Sequence, residues 1–175
     1  MTLFCSSAFA DKYTETKKMF EDAGVGDMFS SAHGYALFPT IGKAGFLIGG
    51  AYGKGRVYEK GMHIGNTEMI QATIGFQLGA SGFSEVIFFK DKRALDEFTR
   101  GSFEFGADAQ VTVITAAAQA SANTSGSSAT ASGGKNNAAI ANAGYNKGMA
   151  TFVITKGGLM YEVSIGGQKF NFTVL

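Results

Sequence analysis

Gly34–Arg56, GYALFPTIGKAGFLIGGAYGKGR, is the stretch on which the reading of the whole chain turns. Tyr35–Phe38 is a short apolar run closed by Pro39, which has no N–H to give to a sheet ladder. Thr40–Lys43 reads as the turn, with Gly42 free to take positive φ. Ala44–Tyr52 resumes the apolar run but carries Gly45, Gly49 and Gly50, with Gly53 and Gly55 just beyond. Glycine weakens a strand unless backbone must approach closely or the sheet must bend. No acid lies between Asp27 and Glu59, whereas Lys43, Lys54 and Arg56 do. Such a hairpin suits approach to an anionic surface. A curved sheet whose lysines are merely solvated accounts for it equally.

Composition widens the same picture. The 175 residues suit one domain with a sizeable core. Sixteen phenylalanines supply core material, and 25 glycines are about twice the usual share. Charged residues are 17% of the chain, fewer than the roughly 25% of ordinary soluble domains. That balance predicts a β-rich fold with many turns. A net charge of +1 predicts no nucleic-acid partner, so any anionic partner must be recognised locally. Cys5 is the only cysteine, which rules out an intrachain disulfide.

Residues 1–10, MTLFCSSAFA, end in Ala8-Phe9-Ala10, the small-residue pattern of a signal-peptidase site. They read as the remnant of a secretory signal, leaving residues 11–175 as one exported domain. A strand-forming or unstructured N-terminus is the other reading. No apolar run reaches the 18 residues a transmembrane helix needs.

Along the chain, Asp11–Ala23 has a helical stripe of Tyr13, Thr16 or Lys17, Phe20 and Ala23, stopped by Gly24. Lys12, Lys17 and Lys18 flank that stripe. The helix either rests on a membrane surface or packs on the domain. A second short helix begins at Asp27. Val57–Met62 reads as strand and the following HIGNTE as a polar turn. In Met69–Ala80, Ile70, Ala72, Ile74, Phe76 and Leu78 share one face. Ser84–Lys90, SEVIFFK, reads as a strand buried on both faces. Asp91–Arg100 reads as a helix capped by Asp91, with Ala94, Leu95 and Phe98 as its stripe and Gly101 beyond its end. Phe103–Thr115 alternates as one strand. Residues 116–143 are an Ala/Ser-rich excursion, too poor in large apolar residues to order well. Three strands, Tyr145–Thr155, Gly158–Ile165 and Lys169–Val174, close the chain.

Catalytic and metal-binding patterns are missing from the sequence. His33 and His63 stand alone beside glycines, and no nucleophile elbow, zinc spacing or P-loop spacing occurs. The reading is therefore of a non-enzyme with no cofactor and no metal.

The ordered set of motifs resembles the SYLF domain family. HGYALFPTIGKAGFLIGGAYGKGRVY is similar to that family's opening glycine-rich hairpin. MIQATIGFQLGASGFSEVIFF resembles its glycine-bearing middle, with Gly75-Phe76-Gln77-Leu78-Gly79 as its Gly-x-Gln-x-Gly-like element. FGADAQVTVI and YNKGMATFVITKGGLMYEVSIGG resemble the later blocks. The family's Trp-Ser is replaced by His63-Ile64-Gly65-Asn66, and its Gly-Pro loop by the Ala/Ser-rich excursion. The resemblance implies a phospholipid-binding module; some fungal members also bundle actin. The implied partner is anionic membrane phospholipid, and the implied location the periplasm or cell envelope, peripheral to a membrane.

The expected fold is α+β: a predominantly antiparallel, strongly bent sheet or partial barrel with short N-terminal helices and one packed helix near 91–100. The expected lipid-binding residues are Lys43, Lys54 and Arg56, assisted by Lys12, Lys17 and Lys18, with Ile41 inserting shallowly. The alternative is a small outer-membrane β-barrel or structural envelope protein.

Overall fold

Strand pairing begins with β1 (Gly34–Lys43), which lies between β2 (Ala51–Glu59) and β4 (Gly82–Phe89), antiparallel to both. The computed structural model describes residues 12–43, 50–71, 82–114, 144–156 and 165–175. β3 (Met62–Gln71) adds to β2, β8 (Lys169–Val174) to β3, and β5 (Ser102–Glu104) to β8, all antiparallel. On the other side β7 (Met149–Lys156) pairs antiparallel with β4, and β6 (Thr112–Ile114) pairs parallel with β7. The order is β5-β8-β3-β2-β1-β4-β7-β6.

The sheet curls into a half-barrel. Phe103 on one edge strand and Val113 on the other both pack against the same core cluster, which a flat sheet of eight strands would keep far apart. Glycine makes the bend possible at β2. A Cβ at Gly53 would lie 2.5 Å from Ile41 Cγ1, and one at Gly55 would lie 2.6 Å from Phe38 Cδ2. The missing side chains let Ile41 and Phe38 fill the concave face. Of the two accounts of these glycines, the bent sheet has its contacts in the structure.

The centre of the sheet is buried on both faces. Ala36, Phe38, Ile87, Phe89 and Val153 face the concave core, while Leu37, Val86, Phe88 and Phe152 form a second core on the outer face. Every residue of β4 is buried, as the unbroken run SEVIFFK predicts. The outer core is covered by α1 (12–20), a π-type turn at Glu21–Val25 and α2 (Gly26–Ser31). Phe20, Ala23 and Val25 are buried there. Gly24, at φ 113°, separates the two helices. On the concave side α3 (Lys92–Phe98) is capped by Asp91, whose Oδ1 accepts the Ala94 N–H at 3.0 Å. Phe98 reaches Phe89, Phe103 and Phe170, tying both halves of the curl together.

Three local expectations are corrected. β1 runs through Pro39 to Lys43, so Thr40–Lys43 is strand and not turn. The register shifts between Leu37 and Ile41, a bulge that absorbs the missing N–H, and the Pro39 carbonyl accepts the Ser84 hydroxyl at 2.7 Å. HIGNTE lies within β3. The turn is Lys60–Gly61, both at positive φ (50° and 84°), the backbone a two-residue type I′ hairpin needs. Phe103–Thr115 is not one strand: β5 and β6 lie on opposite edges, joined through a turn in which the Ala109 N–H donates to the Gly106 carbonyl. In the alternating stretch Met69–Ala80, Ile70 faces outward and is 38% exposed while Met69 and Gln71 are buried, and residues 72–80 lie outside the described residues. Residues 1–10, 116–143 and most of Gly158–Ile165 lie outside the described residues.

A carboxyl group lies deep in the concave core beside buried glutamines, Gln71 and Gln168. Glu85, 0% exposed, accepts the Gln168 Nε2–H at 3.1 Å. Among the described residues, Glu85 Oε2 and Gln168 Oε1 have no hydrogen-bond partner. Burial pushes the Glu85 carboxyl up to about 8, against a smaller lowering by the Gln168 hydrogen bond.

Candidate functional site

Alternation along β2 sorts its residues cleanly. Ala51, Gly53, Gly55 and Val57 are buried on the concave side, and Tyr52, Lys54, Arg56 and Tyr58 stand on the outer face. The glycines and the cations of the hairpin thus serve opposite faces. Glycine admits core side chains on one side, while Lys54 is exposed on the other.

Arg56 is half-buried, and its guanidinium lies 4.1 Å from the centroid of the Tyr13 ring. A guanidinium on a tyrosine face contributes about 0.5–1 kcal/mol where water reaches it. Burial pushes the Tyr13 hydroxyl up, and Arg56 partly opposes that. The stack joins two groups far apart in the sequence, since Lys12 precedes Tyr13 and Lys17 follows one turn later. Lys17 Nζ sits 5.5 Å from the Phe29 ring centroid, Lys12 is exposed, and Lys18 pairs with Asp22 at 3.8 Å. The lysines of α1 therefore divide: one stacked, one exposed, one paired with an acid.

Strand pairing brings in an acid that the sequence around the hairpin lacks. Glu68 on β3 stands opposite Lys54. It also hydrogen-bonds Tyr52, whose hydroxyl is pushed up by desolvation first and then by Glu68. Lys43 is the last residue of β1, in register with Ala51; its side chain lies outside the described residues.

Ile41 is not at the surface. It is 0% exposed and packs over Gly53 in the concave core, so shallow membrane insertion by this residue is corrected. An exposed apolar side chain on the outer face of the sheet is Ile70, opposite Tyr52. The sequence signal for Ile70 was the alternation of β3, which fixes its partners but not which parity meets solvent.

Neither histidine stands alone. His33 Nε2 meets Glu59 Oε2 at 2.6 Å, bracing the entry to β1 against the end of β2, and His63 Nε2 meets Asn66 Oδ1 at 3.0 Å. Among the described residues, no three His, Cys, Asp or Glu side chains converge as a metal site, and no helix is long and apolar enough to cross a membrane.

Compared with known families, residues 70–172 match the family described as Ysc84, Las17-binding protein actin regulator. The match covers more than half of the chain, from the end of β3 into β8. A search of curated proteins returned no match. Lys54, Arg56 and the N-terminal helices precede the matched residues.

Proposed function

The chain belongs to the Ysc84 (SYLF) family, and from that premise we propose that it binds anionic phospholipid at a membrane surface and catalyses no reaction. Its family points to lipid-binding or actin-related roles. The observation that carries the lipid reading is the Arg56–Tyr13 stack. It joins the cationic face of β2 to the helix that bears Lys12 and Lys17. Near an anionic surface each such cation contributes about 1 kcal/mol. Glu68 offsets part of the Lys54 contribution, and Lys18 contributes less because Asp22 already holds it. Lys43 joins the set from the end of β1, and Ile70 supplies the apolar contact.

The family description also names an actin regulator. The secretory reading of residues 1–10 favours lipid, because an exported protein in the periplasm or envelope meets no actin. Covered outer-face residues such as Val86 and Phe88 favour a peripheral protein over an outer-membrane barrel, whose outer face would meet lipid tails.

Flotation of the full chain with neutral and acidic vesicles across a salt series tests the reading. Binding to acidic vesicles should weaken as salt rises, and neutral vesicles should leave the protein behind. Lys54→Glu with Arg56→Glu should lower binding at least tenfold. Unchanged flotation of the double variant rejects this face.

A further inference from the structure

A second cationic feature lies at the far end of β2, about 20 Å along the strand direction from Lys54. There the C-terminal residues of α2, the Lys60–Gly61 turn and the segment entering α3 border an open depression of about 600 Å³. Its polar lining is Ser30, Ser31, His33, Lys60, Lys90, Asp91 and Lys92. Three lysines line it with one carboxylate, Asp91, which accepts the Ala94 N–H, and His33 is held by Glu59 at 2.6 Å. Lys92 pairs with Asp96 at 3.1 Å. Lys60 and Lys90 are exposed, and neither forms an ion pair with a described acid.

Lys60 holds an expensive conformation. At φ 50° it occupies the left-handed region that Asn, Asp and Gly adopt readily and other side chains avoid. The only other described non-glycine residue at positive φ is Lys147, in the same Lys-Gly turn context. There the lysine has a partner in the protein, Asp108, at 3.3 Å. Lys60 sits in a type I′ turn that itself requires positive φ, its N–H donates to the His33 carbonyl at 2.9 Å, and its ammonium has no ion-pair partner among the described residues.

We propose that this pocket is a phosphate site, with Lys60 and Lys90 as the principal contacts and Lys92 and His33 at its margin. The phosphate belongs either to a free phosphate ester or to a lipid headgroup. The site does not depend on the Lys54–Arg56 face.

The test is thermal unfolding of the full chain against inorganic phosphate in the low-millimolar range, with ionic strength held by chloride. Binding to the folded state raises the midpoint with the logarithm of one plus the ratio of phosphate concentration to Kd. The wild type should show a rise that continues logarithmically with phosphate above Kd. Lys60→Asn and Lys90→Gln should each need at least tenfold more phosphate for the same rise. Lys60→Asn should also melt higher than wild type without phosphate, because asparagine suits the turn. Lys147→Asn is the control: it relieves the same backbone and should keep the wild-type phosphate response. No rise in the wild type, or a wild-type response in both Lys60→Asn and Lys90→Gln, overturns the proposal. Flotation on phosphatidic acid vesicles then identifies the source. Weaker flotation of the two pocket variants assigns the site to a headgroup, and unchanged flotation assigns it to a free ester. A wild type that floats without any phosphate response separates failure here from failure of the lipid-surface reading.

Discussion

Glu85 makes the stability of this protein depend on pH in a direction opposite to that of most carboxylates. The unfolded chain ionises this group near its ordinary value of 4.5, whereas the folded chain holds the proton until about pH 8. Between those values the folded state binds one proton more than the unfolded state. Stability is therefore fully present below about 4.5, falls as pH rises through the window, and levels off above about 8. One proton corresponds to about 1.4 kcal/mol per pH unit, so the loss between pH 5 and 8 is on the order of 4 kcal/mol. That is a large share of the roughly 5–15 kcal/mol that holds a domain folded. Glu85→Gln is the informative change. A glutamine still accepts from Gln168 Nε2, and its own amide offers the donor that Gln168 Oε1 lacks. Urea unfolding followed by circular dichroism at pH 5, 6, 7 and 8 should show wild type and variant close at pH 5 and diverging steadily above it. The variant should be the more stable at pH 8. Other groups titrate alike in both proteins, so the difference between them isolates Glu85. Parallel stability curves across the window would mean that the carboxylate is accommodated charged, and the reasoning fails.

Two further predictions follow from the packing. Gly55→Ala places a Cβ 2.6 Å from Phe38 Cδ2 and 2.7 Å from the Leu37 carbonyl, and should destabilise by about 1–3 kcal/mol in urea unfolding; a neutral result would show that the concave core yields at no cost. Asp91→Ala removes the cap of α3 and should cost about 1 kcal/mol by the same measurement, while Asp91→Asn should recover most of it.

The parts of the fold that could be read from sequence were those in which side chains speak about their own segment. SEVIFFK announces burial on both faces because no polar side alternates through it, and β4 is buried throughout. Asp91, its three-residue stripe and Gly101 mark α3 because caps and periodicity are local. The failures share a different cause. Pro39 looks like a strand end, yet its lost N–H is absorbed by a bulge that depends on two neighbouring strands. Lys60–Gly61 was overlooked as the hairpin turn because lysine is a poor signal for positive φ. Phe103–Thr115 keeps one alternation through residues that end on opposite edges of the sheet, and only long-range pairing separates them.

The same distinction governs the candidate site. A run without acids in the sequence is not a region without acids in space, because each strand residue has cross-strand neighbours drawn from elsewhere. Lys54 acquires Glu68 that way, and Arg56 acquires Tyr13 from a helix some forty residues earlier. Pairing also decides what glycine means. In sequence, Gly53 and Gly55 alternate with Lys54 and Arg56 and invite one explanation for all four. Period two places them on opposite faces, so the glycines answer to Ile41 and Phe38 while the cations answer to solvent and to α1. Bending the sheet and presenting charge are thus separable properties of one strand. Glycine replacements should alter stability first, and charge replacements binding first.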